Sequence, residues 1–333
     1  MIKSIMIPAK LKSGDEIRVV SPASSLAIIS RENRKIAERR FNELGLIISF
    51  SKHAEEKDEV RSSSIQSRVD DLHAAFLDKN VKAVFATIGG FNSNQLLKYL
   101  DYQLIKQNPK IFCGYSDITA LGNAIYAKTG LVTYSGPAFS TLGMEKGLDY
   151  SLEYLKKCLF FEDSFGILPS KKWSDDPWYK DQEKRRFFKN SGFLPIHQGR
   201  AEGTIFGGNL CTLNLLHGTD FMPSLKGTIL FLEDDEMARE FTRVEFDRNL
   251  QSILHLPGAE EIRGLVIGRF QRVSNMTPEK IIKVIETKEE LKGIPVIAGV
   301  DFGHTTPHIT FPIGGTARLI IGKGRVELEI VKH

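Results

Sequence analysis

The alternation of strand-like and helix-like segments over the first 145 residues constrains this chain more than any other feature of its sequence. Short β-branched runs are typical of buried strands, and apolar residues three or four positions apart are typical of amphipathic helices. Strands that alternate with helices predict a mostly parallel sheet covered on both faces. The predicted strands are 15–21, 46–49, 81–87, 110–115 and 131–135, and the predicted helices are 30–44, 64–77, 95–100 and 117–128.

The rest of the chain does not follow this pattern. Residues 146–198 are polar and irregular and contain both tryptophans, Trp173 and Trp178, so we interpret them as a connecting segment. From residue 199 onward short strands and glycines dominate, with one helix predicted at about 238–254, which predicts a compact second domain. The expected architecture is α/β, with a parallel-sheet domain at 1–145 and a smaller strand-rich domain at 199–333. A length of 333 residues fits two domains.

Composition and terminal sequence exclude several classes of protein. A formal net charge of +4 without a basic stripe does not indicate a nucleic-acid partner. The three cysteines are widely spaced, which fits neither a zinc site nor a disulfide framework and favours a reducing compartment. The N-terminal residues lack the pattern of a secretory signal, and no apolar stretch of about 18 residues exists that could span a membrane. We therefore expect a cytoplasmic protein without a membrane partner.

A buried strand at 110–115 runs into the turn at Ser116 and Asp117 and then directly into a helix. This arrangement is typical of a nucleophile elbow, in which a serine projects above the sheet. The helix N-terminus provides N–H groups that can stabilise an oxyanion. The second glycine of the usual elbow pattern is replaced by Ile118. The alternative is that Ser116 or Asp117 only caps the helix.

A second turn follows the predicted strand at 81–87 and contains Gly89, Gly90 and Asn92. Adjacent glycines allow the backbone to approach a ligand closely, and open α/β sheets bind ligands beyond the carboxyl ends of their strands. These residues are therefore candidates for substrate binding and for a backbone oxyanion contact. The sequence does not match a dinucleotide or Walker motif, and a plain tight turn is the alternative.

Two strand ends in the second half carry further candidates. The run TILFLEDDE ends in four acidic residues beginning at Glu233, and the run IPVIAGVDFGHTT places His304 after a glycine turn. A carboxylate at a strand end is suited to orient a histidine, and triads are recognised by such roles rather than by spacing. A solvated acidic turn or a magnesium site is the alternative for the acids. Pro307 prevents a helix that would place His304 and His308 on one metal-binding face.

Several motifs together resemble the family of LD-carboxypeptidases and microcin C immunity proteins. They are KIFCGYSDITAL, the Gly89-Gly90 turn before LLKYLDYQLI, GTIFGGNLCTL, FLEDD and AGVDFGH, and the resemblance extends from about residue 14 to the C-terminus. It implies a serine hydrolase with an active site in the interdomain cleft, with no metal or organic cofactor, and a homodimeric assembly. The implied roles are Ser116 as nucleophile, Glu233 as carboxylate, His304 as base, and the N–H groups of Asp117 and Gly90 as oxyanion hole.

The resemblance leaves two substrate classes open. One branch removes terminal D-alanine from murein tetrapeptides, and the other inactivates processed microcin C and related aminoacyl-nucleotides. The stretch WSDDPWYKDQEKRRFFKN resembles the aromatic substrate loop of the immunity branch, which favours that branch, with Trp178 as the first candidate for base stacking and Trp173 as the second. These aromatics could instead only anchor the loop. A non-catalytic binding module and a glutaminase-like amidotransferase are further alternatives, although Cys113 precedes the elbow position that the latter requires.

Overall fold

The computed structural model describes residues 5–333. Residues 1–4, which belong to the segment in which no secretory signal is predicted, lie outside this range. The described strands are β1 (Glu16–Val20), β2 (Ile47–Phe50), β3 (Val81–Ala86), β4 (Ile111–Gly114), β5 (Thr133–Ser135), β6 (Phe165–Ile167), β7 (Lys172–Trp173), β8 (Phe188–Lys189), β9 (Leu194–His197), β10 (Gly199–Asn209), β11 (Thr228–Glu233), β12 (Gly264–Gly268), β13 (Val296–Val300), β14 (Phe311–Ile313), β15 (Thr316–Gly322) and β16 (Arg325–Lys332).

Eight α-helices accompany these strands within the described range, together with short 3-10 turns. They are α1 (Arg31–Glu43), α2 (Ile65–Leu77), α3 (Tyr102–Gln107), α4 (Thr119–Thr129), α5 (Asp149–Leu159), α6 (Leu210–Asn214), α7 (Thr242–Leu254) and α8 (Pro278–Glu286). The hydroxyl of Ser64 accepts the N–H of Ser67 and thereby caps α2. In the same way Ser30 caps α1, by accepting the N–H of Asn33.

The first sheet has six strands in the order β14-β5-β4-β3-β1-β2, and β1 to β5 are parallel. Successive residues of one strand point to opposite faces, so Phe85 of β3 joins one apolar core and Val84 joins the other. Phe41 of α1 packs in the first of these cores and Leu72 of α2 in the second. Both faces of the parallel sheet are therefore covered by helices, as the sequence predicts.

The second sheet has eight strands in the order β6-β16-β15-β10-β11-β12-β13-β9. Its centre, β10 to β13, is parallel, and antiparallel strands complete both edges. Every residue of β11 is buried. The connecting segment contributes β6 and β9 to this sheet, and β7 and β8 form a separate hairpin.

Three local features differ from the prediction. The strand β14, expected in the second domain, pairs antiparallel with β5 of the first sheet. The helix predicted at 95–100 is a 3-10 turn at Ser93–Leu96, and an α-helix that was not predicted follows at α3. The helix predicted from about residue 238 begins at Thr242, after a 3-10 turn. Between residues 5 and 333, no helix combines the length and the hydropathy needed to cross a bilayer.

The two sheets meet where α4 packs against the end of β10. Asn123 of α4 donates a hydrogen bond to the carbonyl of Gly207 at 2.8 Å, and the N–H of Asn209 donates to Thr119 Oγ1 at 3.0 Å. A side chain at Gly208 would clash with Thr119, since a Cβ atom there would lie 2.5 Å from Thr119 Oγ1. This close approach places the N-terminal end of α4 opposite the carboxyl ends of the second sheet.

Candidate active site

Ser116 occupies a strained turn between β4 and α4. Its φ is +62°, in the left-handed region that non-glycine residues rarely adopt. The preceding Tyr115 is extended, and a 3-10 turn at Ser116–Ile118 leads into the helix. Backbone strain of this kind is concentrated at functional sites. The sharp strand-to-helix turn predicted from the sequence is therefore present, with Ser116 at its apex.

Ser116, His304 and Glu233 form a continuous hydrogen-bonded chain. Ser116 Oγ lies 2.9 Å from His304 Nε2, and His304 Nδ1 lies 2.8 Å from Glu233 Oε2. An ionised carboxylate only accepts hydrogen bonds, so the Nδ1–H donates to Glu233, and in the neutral imidazole Nε2 accepts the Ser116 hydroxyl. Three strand ends, those of β4, β11 and β13, thus bring together the three residues predicted from separate motifs.

Glycines allow Glu233 to reach the histidine. Gly303 has φ +102°, and a Cβ atom there would lie 2.6 Å from Glu233 Oε2. A Cβ atom at Gly268, at the end of β12, would lie 2.7 Å from that of Glu233. Glu233 is only 3% exposed, so its carboxylate is held in a tight space in which His304 is its partner.

The charges around His304 favour its protonated form. Burial alone lowers the pKa of His304, but the charge of Glu233 and its hydrogen bond act in the opposite direction. Asp235 and Asp234 add to this effect, and together the carboxylates raise the pKa of His304 to about 9. The site therefore stabilises an imidazolium, the species that a serine hydrolase forms when histidine takes the proton of the nucleophile.

The double-glycine turn lies against Ser116. A Cβ atom at Gly89 would lie 2.9 Å from Ser116 Cβ and 3.5 Å from the backbone nitrogen of Asp117. The carbonyl of Gly89 accepts the N–H of Ser24 at 3.2 Å. Because C=O and N–H point in opposite directions across a trans peptide, the N–H of Gly90 points away from Ser24. Within residues 5–333, neither this N–H nor that of Asp117 has a hydrogen-bond partner.

The side chain of Asp117 holds the residues that follow the double-glycine turn. Its Oδ2 accepts the N–H groups of Asn92 and Ser93 at 3.1 and 2.9 Å, and the Ser93 hydroxyl donates to the Asp117 carbonyl at 2.7 Å. Asn92 Oδ1 in turn accepts a hydrogen bond from the buried Arg68 at 3.1 Å. These contacts give Asn92 a structural role, and its contact with substrate stays a prediction.

Two further residues, which the sequence did not single out for this site, pack beneath the histidine. The ring of Tyr115 lies 5.6 Å from that of His304 and 4.9 Å from that of His308. Burial and the nearby His304 lower the pKa of His308 to about 4, so this second histidine is neutral. His308 lies beside Tyr115 because the chain returns into β14 just after it, which the strand pattern did not reveal.

The two tryptophans occupy different surroundings. Trp173 lies on the β7–β8 hairpin, where its ring contacts Phe188 at a centroid distance of 5.5 Å. The next residue, Ser174, forms a two-bond bridge with Thr306, two residues after His304. Trp178 packs at the edge of a core and lines a cavity of about 440 Å³ together with Asn33 and others. Hydrogen bonds from the residue next to Trp173 therefore join the hairpin to residues 302–306, which we call the histidine loop.

Sequence comparison decides the family. Residues 17–136 match the LD-carboxypeptidase N-terminal domain, and residues 202–319 match the LD-carboxypeptidase C-terminal domain. The chain belongs to the LD-carboxypeptidase family. This confirms the resemblance predicted from the motifs and makes the chain a serine carboxypeptidase.

The relatives of the chain fall into both substrate branches of the family. A putative carboxypeptidase of Bacillus subtilis, YocD, is 56% identical over 98% of this chain and 100% of its own length. The microcin C7 self-immunity protein MccF of Escherichia coli is 34% identical, with coverage of 93% and 91%. A probable murein peptide carboxypeptidase of Bacillus subtilis is 31% identical, with coverage of 94% and 91%.

Solved structures confirm the predicted α/β fold class. An MccF-like protein from Bacillus anthracis has a TM-score of 0.98 at 56% identity, covering 98% of this chain and 100% of its own. MccF in complex with glutamyl sulfamoyl guanosine has a TM-score of 0.87 at 28% identity, covering 98% of both chains.

Proposed function

We propose that the chain hydrolyses an amide bond through a triad of Ser116, His304 and Glu233. The observation that carries this proposal is the hydrogen-bonded chain from Ser116 Oγ through the imidazole to the buried Glu233 carboxylate. A pure binding module has no need for such an arrangement at a strained elbow. Hydrolysis measured on wild-type protein and on single substitutions of the triad tests the proposal.

In the first step, His304 Nε2 takes the proton of Ser116 Oγ while the oxygen attacks the carbonyl carbon of the substrate. The amide C–N bond then breaks, and the imidazolium returns its proton to the leaving nitrogen. Water, activated by the same histidine, hydrolyses the acyl-serine and restores the free hydroxyl. Glu233 holds the Nδ1–H and stabilises the imidazolium throughout.

The oxyanion of each tetrahedral intermediate needs two preorganised donors. We assign this role to the N–H groups of Asp117 and Gly90. Within residues 5–333, neither N–H group has a hydrogen-bond partner. Gly89, which directly precedes Gly90, faces Ser116. The hydrogen bonds from Asn92 and Ser93 to Asp117 fix the two donors relative to each other.

For the substrate, we favour processed microcin C-like aminoacyl-nucleotides, which makes the protein a detoxifying enzyme. Support comes from the likeness to MccF, whose solved structure holds glutamyl sulfamoyl guanosine, and from the hairpin at residues 171–189, which contains both tryptophans and which we call the aromatic hairpin. It lies beside the histidine loop. We further propose that the enzyme is cytoplasmic and, by family resemblance, a homodimer.

The second candidate substrate is a murein tetrapeptide, favoured by the probable murein peptide carboxypeptidase among the relatives. A side-by-side assay on a murein tetrapeptide and an aminoacyl sulfamoyl adenosine distinguishes the two. A higher kcat/KM on the nucleotide supports the immunity branch, and a higher value on the peptide contradicts it.

Substitution of the tryptophans should affect the two substrates differently. Stacking of a base on an aromatic ring is worth about 1 to 3 kcal/mol, so loss of the stacking residue should lower kcat/KM on the nucleotide by roughly tenfold to a hundredfold. Trp178→Ala and Trp173→Ala are compared on both substrates. Because the bridge from Ser174 to Thr306 places Trp173 near the histidine loop, we expect Trp173 to be the stacking residue. Murein cleavage should hardly change. Equal losses on both substrates, or none with either variant, would contradict a stacking role.

A further inference from the structure

The buried carboxylate of Asp301 joins three separate parts of the chain. Asp301 is 0% exposed, and its Oδ2 and Oδ1 accept hydrogen bonds from the N–H and hydroxyl of Ser170 at 2.8 and 3.0 Å. The side-chain amide of Asn190 donates to both oxygens at 3.3 to 3.4 Å. Arg269 Nη2 forms an ion pair with Oδ1 at 3.2 Å. This carboxylate is thus surrounded by donors from distant segments.

Ser170 and Asn190 directly flank the aromatic hairpin, residues 171–189, which contains β7, β8 and both tryptophans. Asn190 donates its side-chain amide to Ser170 Oγ at 3.1 Å and its backbone N–H to the Lys171 carbonyl at 3.1 Å. The aromatic hairpin therefore begins and ends at the Asp301 carboxylate.

The same carboxylate lies at the base of the histidine loop. Only two residues separate it from His304 along the chain: Phe302, which is buried, and Gly303, which is pressed against Glu233. The Arg269 guanidinium, which Asp301 holds, lies 5.1 Å from the centre of the Trp173 ring. Further along, the bridge from Ser174 to Thr306 joins the hairpin to the far side of the histidine loop.

We propose that Asp301 is a positioning residue that fixes the aromatic hairpin relative to His304, through Ser170, Asn190 and Arg269. This inference rests on the proposed function, since the hairpin is assigned there to substrate binding. Loss of the negative charge leaves Arg269 without its ionic partner and weakens the attachment of both hairpin ends. The catalytic chain from Ser116 to Glu233 does not include the Asp301 side chain and stays intact.

The first test is spectroscopic and does not depend on activity. Both tryptophans of the chain lie in the aromatic hairpin, so Trp173 is the only indole in a Trp178→Phe background. In that background Asp301→Asn should raise the acrylamide quenching constant of Trp173 at least about twofold, because the hairpin opens locally. Ser170→Ala, which removes one hydrogen bond, is the milder variant if Asp301→Asn does not fold. Unchanged quenching in the folded variants overturns the proposal.

The second test is kinetic, on whichever substrate the wild type hydrolyses. Asp301→Asn should raise KM about tenfold and leave kcat within about threefold, as expected when binding rather than chemistry is affected. Asp71→Asn is the matched control, because Asp71 is a buried carboxylate bonded to Ser51 and His53 instead of the hairpin. An equal rise in KM in this control, or a loss of kcat alone in Asp301→Asn, contradicts the proposal. An inactive wild type contradicts the proposed function, and the quenching comparison then decides on Asp301 alone.

Discussion

Ser116→Ala should lower kcat by at least about 10⁴-fold, because the hydroxyl is the attacking group and triad members act as a unit. Removal of one oxygen atom leaves the strained backbone of the elbow and the contact between His304 and Glu233 in place. We therefore expect a folded protein that binds substrate without turning it over. The measurements are steady-state hydrolysis, and calorimetric titration of the variant with substrate.

Ser64→Ala serves as the control for this variant. Its hydroxyl caps α2, away from the catalytic chain, so its loss should cost about 1 kcal/mol of stability without lowering turnover. Turnover near the wild-type level in Ser116→Ala would mean that the elbow serine only caps the helix. A variant that neither folds nor binds substrate would mean that the hydroxyl has a structural role instead.

Glu233→Gln should lower kcat/KM at least about a hundredfold, because a neutral amide no longer stabilises the imidazolium. It should also shift the pH profile. Catalysis requires neutral His304, and the carboxylates raise the pKa of His304 to about 9, so kcat/KM of the wild type should rise with pH through this value. Without the charge of Glu233 the pKa of His304 falls, and the rising limb should move to lower pH. Full pH profiles of both proteins give the two effects together.

Asp235→Asn is the matched control, since Asp235 also raises the pKa of His304 but forms no hydrogen bond with it. A smaller shift in the same direction, with a much smaller loss of rate, is expected. Equal losses at both positions would show that Glu233 is not the orienting carboxylate. A profile that falls with rising pH between 6 and 9 would contradict histidine as the base.

The architecture of the first sheet and the members of the catalytic chain were accessible from the sequence because each produces a local pattern. The end of a buried strand marks the edge at which α/β sheets place their sites, and Ser116, Glu233 and His304 each lie at or just beyond such an end. The positive φ of Ser116 was not accessible in this way, because the turn could equally have been an ordinary helix cap.

The features that escaped prediction depend on contacts between distant residues. The strand β14 is a short run with the pattern of any buried strand, and only its pairing with β5 places it in the first sheet. Asp301 directly follows a strand, β13, but its partners Arg269, Asn190 and Ser170 lie 32 to 131 positions away along the chain. Neither periodicity nor turn chemistry carries such information.

The most direct test of the triad is to look for the acyl-enzyme. A rapid acid quench of the wild type during the first turnovers, followed by digestion and peptide mass spectrometry, detects an ester if nucleophilic catalysis occurs. We expect an added acyl group on the peptide that contains Ser116, and no such adduct in Ser116→Ala. An acyl group on any other residue, or full turnover with none of the enzyme acylated under conditions that trap known acyl-serines, would contradict it.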